Sequence, residues 1–242
     1  MKKLILLICL SAGLFVANSH GQEKKVAVVS FYTVKQIGLT QFNTAATIAA
    51  VTKLGDDPNF NMGPMLQSFH KQFFEDYSKS FPFQLLPEQE VLNNADYKNF
   101  APSGSGGTGL LKDNTNLPIE GYKVLLDVVG NKDEKGLLKI FNQVDGIMKV
   151  YIDFDLVKIG IGGMGVVKVE AFTNIVLYDK KGDKVFSVRE SAKSKGVSPL
   201  VAGVPVLTPE KILPMCESAL TELMADLQKR LPKIIKKADS KL

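Results

Sequence analysis

Hydrophobic and polar residues alternate most cleanly between Ile147 and Lys158. Met148, Val150, Ile152, Phe154 and Leu156 fall on one side, and Lys149, Tyr151, Asp153 and Asp155 on the other. A period of two is strand periodicity, and one apolar face against one polar face predicts a half-covered antiparallel sheet. Val167, Val169, Ala171, Ile175 and Leu177 repeat the pattern. The run DKKGD (Asp179 to Asp183) predicts a hairpin connection in which Gly182 takes a positive φ, and Lys184 to Ala192 is the returning strand. Near the amino terminus KVAVVSFY (Lys25 to Tyr32) predicts a buried first strand.

Helical spacing marks other segments. Leu39, Phe42, Ala46, Ala49 and Ala50 predict a helix over Thr40 to Leu54, followed by a loop over Gly55 to Gly63. Leu66, Phe69, Phe73 and Tyr77 predict a helix from Pro64 to Ser80, with Pro64 in its first turn. Phe83 to Leu86 reads as a short strand and Pro87 to Asn99 as a second helix. The flexible loop SGSGGTG covers Ser103 to Gly109, Tyr122 to Val129 has strand character, and Glu134 to Val144 is a short helix. Thr208 to Ile235 is a long helix, capped by Thr208 and opened by Pro209. Its stripe of Leu213, Cys216, Leu220, Leu223, Leu227 and Leu231 should cover the apolar face of the sheet. Pro214 and Pro232 should bend or trim it. The expected fold is α/β (α+β): a mixed sheet with a long antiparallel hairpin, packed on helices that include this carboxyl-terminal one.

The first residues change the compartment. Lys2 and Lys3 precede an apolar run from Leu4 to Ala17, too short for a membrane span of about 20 residues. Ser19 and Gly21 supply small side chains for cleavage after Gly21, with Ala17 to Ser19 as a second possible site. Residues 1–21 are therefore expected to be a secretory signal, and 22–242 a single α/β domain with a basic tail, periplasmic or secreted. Cys9 follows Ile8 in mid-segment, which does not fit lipidation. Loss of Lys2 and Lys3 lowers 30 basic residues to 28 against 25 acidic, a net charge of +3. So mild a charge does not favour nucleic acid.

The same cleavage leaves one cysteine, Cys216, and one histidine, His70. One cysteine closes no internal disulfide, and a metal centre of several His and Cys ligands lacks the residues. No cofactor is expected. His70 would have to be the base of any Ser–His–Asp or Cys–His system, yet it reads as a surface or packing residue. Cys216 reads as a buried small hydrophobe. Asp153 and Asp155, with Asp145 upstream, have the residue types for acid–base work or for a hard cation, and equally those of a solvent-facing strand. Lys229, Arg230, Lys233, Lys236, Lys237 and Lys241 suit a helix carboxyl terminus or an anionic contact. Gly160, Gly162 and Gly165 spell GxGxxG, but a dinucleotide site needs a strand before and a helix after. With strands on both sides, Gly160, Ile161, Gly162, Gly163, Met164 and Gly165 predict a glycine-rich hairpin tip able to touch a partner or membrane.

The order of KVAVVSF, FPFQLLPEQEVLNN, VDGIMKVYIDFDL and VVKVEAFTNIVLYDKKGDKVFSV, closed by a helix, resembles a periplasmic α/β domain. That domain occurs in the curli secretion channel, in the lipoprotein activators of penicillin-binding proteins and in the amino-terminal part of the Tol translocation protein B. The resemblance spans residues 24–231 in outline. The chain departs from the group in lacking a lipobox and in a long insertion over Leu39 to Gly63. It implies a non-enzymatic, extracytoplasmic interaction or accessory domain with an envelope protein partner and no mature transmembrane helix. A small-ligand or lipid carrier and a carboxylate-dependent hydrolase are the alternatives.

Overall fold

The computed structural model describes residues 24–103, 115–126, 130–160 and 165–235. The expected signal at 1–21, SGSGGTG beyond Ser103, residues 161–164 of the hairpin tip and the tail from Lys236 lie outside them. Among these residues eight strands form one mixed sheet: β1 (Lys25–Val34), β2 (Gln84–Leu85), β3 (Asn116–Pro118), β4 (Gly146–Ile159), β5 (Val166–Asp179), β6 (Lys184–Lys193), β7 (Ser198–Val201) and β8 (Val204–Pro205). β4 lies at the centre, parallel to β1 and antiparallel to β5. Beyond β1 the edge is shared by β2 and β3. Beyond β5 it is shared by β6 and β7, with β8 outside β7.

The helices are α1 (Ala45–Gly55), α2 (Gly63–Glu75), α3 (Glu88–Asn93), α4 (Ala95–Asn99), α5 (Lys132–Ile140) and α6 (Pro209–Ile235). α2 and α6 cover one face of the sheet, where Phe31, Phe69, Phe73, Val150, Ile152, Ile175, Leu220, Leu223 and Leu227 form the main core. α3, α4 and α5 cover part of the other, around Ala27, Val29, Tyr97, Leu137, Phe141, Ile147 and Val176. α6 continues through Pro214 and Pro232. Its buried stripe starts at Ile212 rather than Leu213, which is half-buried.

Four local expectations need correction. First, the face of β4 expected to meet solvent is covered at its amino-terminal half. Lys149 is fully buried there, its ammonium 2.6 Å from Glu134 Oε1 of α5 and 5.0 Å from the Tyr178 ring centre. Second, residues 122–126 are not a strand. They run beside an irregularity in β1 between Val28 and Ser30, where side-chain hydroxyls replace the ladder. Ser30 Oγ donates to Lys123 O (2.7 Å) and accepts from Leu125 N (3.3 Å), while Tyr97 Oη accepts from Lys123 N and donates to Val29 O.

Third, α1 begins only at Ala45. Residues 38–40 are held to the end of β4 by Gly38 N to Phe154 O (2.7 Å) and Leu156 N to Gly38 O (3.1 Å). Thr44 then caps α1, its hydroxyl accepting from Thr47 N. Fourth, the helix expected over Pro87 to Asn99 is split. Asn94 takes an extended ψ of 124° and caps α4 by accepting from Tyr97 N. The helix from Pro64 likewise stops at Glu75, and Tyr77–Ser80 follows as a 3-10 turn.

Candidate functional site

The four large apolar side chains that are exposed among the described residues are Ile48, Ile159, Val197 and Val201, and one is 62% accessible (Val201). All four lie at one end of the sheet. Ile159 closes β4 where the β4–β5 hairpin turns. β7 runs alongside the start of β5, with Val166 opposite Pro199 and Leu200 N donating to Gly165 O. The β7–β8 turn is thereby set beside the β4–β5 tip. Ala202 and Gly203 make that turn with φ of 50° and 81°, the left-handed geometry of a two-residue hairpin. α1 packs against β8 and carries Ile48 on its outer side. Gln41 Oε1 accepts from Lys158 N, which fastens the approach to α1 to the same end.

Backbone geometry requires glycine at this pole. Gly160 and Gly165 flank the tip with φ of 131° and 147°. A Cβ on Gly165 would lie 2.4 Å from Ile159 O, so only glycine fits. The tip's Ile161, Gly162, Gly163 and Met164 fall outside the described residues. Strands on both sides of GIGGMG leave no helix amino terminus for a pyrophosphate. Of the residues at this pole, the sequence pointed to the glycines. Ile48, Val197 and Val201 carried no periodic signal, because their exposure depends on where α1 and β7 dock.

The other candidates are engaged within the scaffold. Asp153 accepts from Asn174 Nδ2 (3.0 Å) and faces Arg189 Nη2 (3.4 Å), and Arg189 lies over the Phe172 ring at 4.2 Å. Burial holds the Asp153 carboxyl above its usual range despite Arg189 and Asn174, and the charge of Asp155 adds to the rise. Asp155 turns instead to the backbone N–H and hydroxyl of Thr40. Asp145 is at the opposite end of β4, where it receives Lys25 N and Lys180 Nζ, both at 2.8 Å. The three carboxylates thus have separate partners, and Asp145 lies just before the strand that carries the other two.

His70 meets Glu88 of α3 at 2.6 Å between the rings of Phe31, Phe74 and Tyr122. Burial would raise the Glu88 carboxyl. The hydrogen bond to His70 and its charge, with the Tyr122 hydroxyl, outweigh that and leave it below its ordinary value. Burial and the Glu88 charge push the Tyr122 phenol well above the ordinary tyrosine range. Glu88 also borders an open groove of about 460 Å³ along Phe74, Phe81 and Leu85. The sequence did not pair His70 with Glu88, because 18 residues and a change of element separate them.

Cys216 is buried, and desolvation pushes its thiol far above the ordinary range, which suits packing. Arg230 pairs with Glu190 of β6, so one of the basic terminal residues is a tie between α6 and the sheet. A cavity of about 280 Å³ lies between α2 and α6, lined by Met65, Leu213, Leu220 and Met224 with Asn61 and Glu217. Among the described residues no helix is long and apolar enough to cross a membrane, and no group of three or more His, Cys, Asp or Glu could hold a metal ion.

No family model matches the chain, and no curated protein matches it in sequence. Several solved structures overlap it loosely, among them the following two. One is described as a neuraminyllactose-binding hemagglutinin homolog from Helicobacter pylori, with 8% identity, 90% of this chain and 91% of that chain covered, and a TM-score of 0.38. The other is lipoprotein GNA1162 from Neisseria meningitidis, with 12% identity, 70% and 82% covered, and a TM-score of 0.28. Overlaps this loose leave the reading of the chain to its own residues.

Proposed function

We propose that the chain is an exported, non-enzymatic accessory protein of the cell envelope, folded as one α/β domain over residues 22–242, that works by docking. One observation carries the reading: Ile48, Ile159, Val197 and Val201, the exposed large apolar side chains among the described residues, gather at one pole. Exposed apolar residues scattered singly need no explanation, whereas a gathered set marks an interaction surface. The signal expected at residues 1–21 supports the compartment. The separate engagement of Asp153, Asp155 and His70 supports a role without chemistry.

In-cell photo-cross-linking tests this. A cross-linker at Val201 should give adducts with an envelope component, while one at exposed Lys181 on the opposite β5–β6 hairpin should not. Equal labelling from both, or none from Val201, refutes docking through the pole. The α2–α6 cavity favours a second reading, a carrier of a small apolar ligand. Native mass spectrometry of the purified protein should then show a bound species, lost on Leu220→Phe.

A further inference from the structure

We infer that the cavity between α2 and α6 takes a short-chain amphiphile with a cationic head, of the class of a primary alkylamine. The inference rests on the carrier reading and names the ligand. The cavity grades from apolar to polar. Met65 and Leu220 are buried in its wall, Leu213 and Met224 are half-buried, and Asn61, Ser68, Glu217 and Thr221 are exposed. The two methionines let the apolar part adapt to the shape of a chain. Its volume of about 280 Å³ has room for roughly nine groups the size of a water molecule, the equivalent of an eight-carbon chain and one head atom.

Charge decides the head. Among the described residues that line the cavity, Glu217 alone is charged. Two polar neighbours are committed to the scaffold: Asn61 Oδ1 accepts from Gly63 N (2.9 Å), and the Thr221 hydroxyl donates to the Glu217 carbonyl oxygen (2.8 Å). The Glu217 carboxylate has neither an ion pair nor a hydrogen bond among the described residues. The charges beside the lining do not neutralise it. Glu222 pairs with Lys195, and His70 with Glu88, each at 2.6 Å. By helical spacing Lys211 and Asp226 point to other sides of α6, while Glu210, about two turns before Glu217, points to the same side and adds negative charge. Lys71 follows Ser68 by about one turn of α2 and does not line the cavity. An unpartnered carboxylate beside an apolar wall complements an ammonium carried on an alkyl chain. The chain leaves water and the head stays at the mouth, within reach of Glu217.

The test is calorimetric titration of the full chain, as the cell processes it, with octylamine, octanol and octanoate at neutral pH. Octylamine should bind about two- to fivefold more tightly than octanol, the range open to an ion pair at an exposed carboxylate. Octanoate should bind more weakly than octanol, and added salt should narrow the gap between amine and alcohol. Shortening the chain to hexylamine should cost about tenfold. Glu217→Gln should bring octylamine to the affinity of octanol and leave octanol unchanged. Glu217 is exposed, so this variant should melt as the parent does, which circular dichroism checks. Leu220→Phe, which fills the wall, should weaken all three ligands. Tighter binding of octanoate than of octylamine assigns the head to Lys71 and overturns the inference. Undiminished octylamine binding by Glu217→Gln overturns it too. In both cases binding to the cavity leaves the carrier reading standing. If none of the three binds, the inference falls, and the carrier reading falls with it when native mass spectrometry also shows no bound species.

Discussion

Replacing Lys149 by methionine should cost this protein more stability than the loss of any one of its exposed charges. Lys149 is fully buried on the helix-covered half of the sheet, and Glu134, 1% accessible, is its ion-pair partner. Glu134 Oε1 receives the ammonium, while Oε2 is buried with no hydrogen-bond partner among the described residues. Lys149→Met therefore strands a buried carboxylate, at a cost of about 3–5 kcal/mol. For a chain of this size that lowers Tm by roughly 6–20 °C.

Glu134→Met should cost less, because the ammonium keeps the face of Tyr178 at 5.0 Å. Such a contact is worth about 0.5–2 kcal/mol. The double variant, methionine at both positions, removes both charges and keeps the volume. It should lie near the parent or be up to about 4 kcal/mol more stable. Urea denaturation of the four proteins closes the cycle. If the double variant loses the sum of the single losses, or if Glu134→Met is the costlier change, the account of a mutually dependent buried pair is wrong.

Three further outcomes are expected. The Glu88 carboxyl titrates lower when folded than when unfolded, so its stabilisation is present above the ordinary carboxylate pKa and lost as pH falls through the lowered value; urea midpoints across acidic pH should fall for the parent and flatten for Glu88→Gln, and parallel curves would contradict this. The Cys216 thiol, buried and held protonated, should resist thiol reagents until denaturant is added, which mass spectrometry of its peptide reads directly. Tyr77, 1% accessible, donates to Met224 O at 2.9 Å and ties the 3-10 turn to α6, so Tyr77→Phe should lower stability by about 0.5–1.5 kcal/mol in the same denaturation assay.

The strands that alternate were legible from sequence because a period of two needs no knowledge of neighbours. β4, β5 and the Gly182 turn, with φ of 81°, follow the reading of Met148 to Leu177 and DKKGD. What failed depends on partners far along the chain. Lys149 looks like a solvent residue until α5 brings Glu134 to it. Tyr122 to Leu126 is apolar enough for a strand, yet Ser30 and Tyr97 satisfy its backbone with hydroxyls and no ladder forms. Thr40 would extend a helix, but Asp155 holds it to the sheet. The pole was half legible. Gly160 and Gly165, just after β4 and just before β5, stand out in the sequence and take positive φ, whereas Ile48 and Val201 become a shared surface only through the docking of α1 on β8.

The position of β1 governs when this chain is able to fold. As the first strand among the described residues it lies beside β4, and Lys25 N reaches Asp145 across 120 residues of sequence. β2 and β3 offer it only two- and three-residue pairings in the meantime. A polypeptide emerging amino end first therefore lacks the main partner of β1 until more than half of its length has been made. Contacts this remote in sequence form slowly, because closing a long loop precedes any reward from it. That delay is a hazard for a protein that folds where it is synthesised. For a chain threaded unfolded through a membrane the same delay is an advantage, since the β1–β4 pairing cannot form until β4 has crossed.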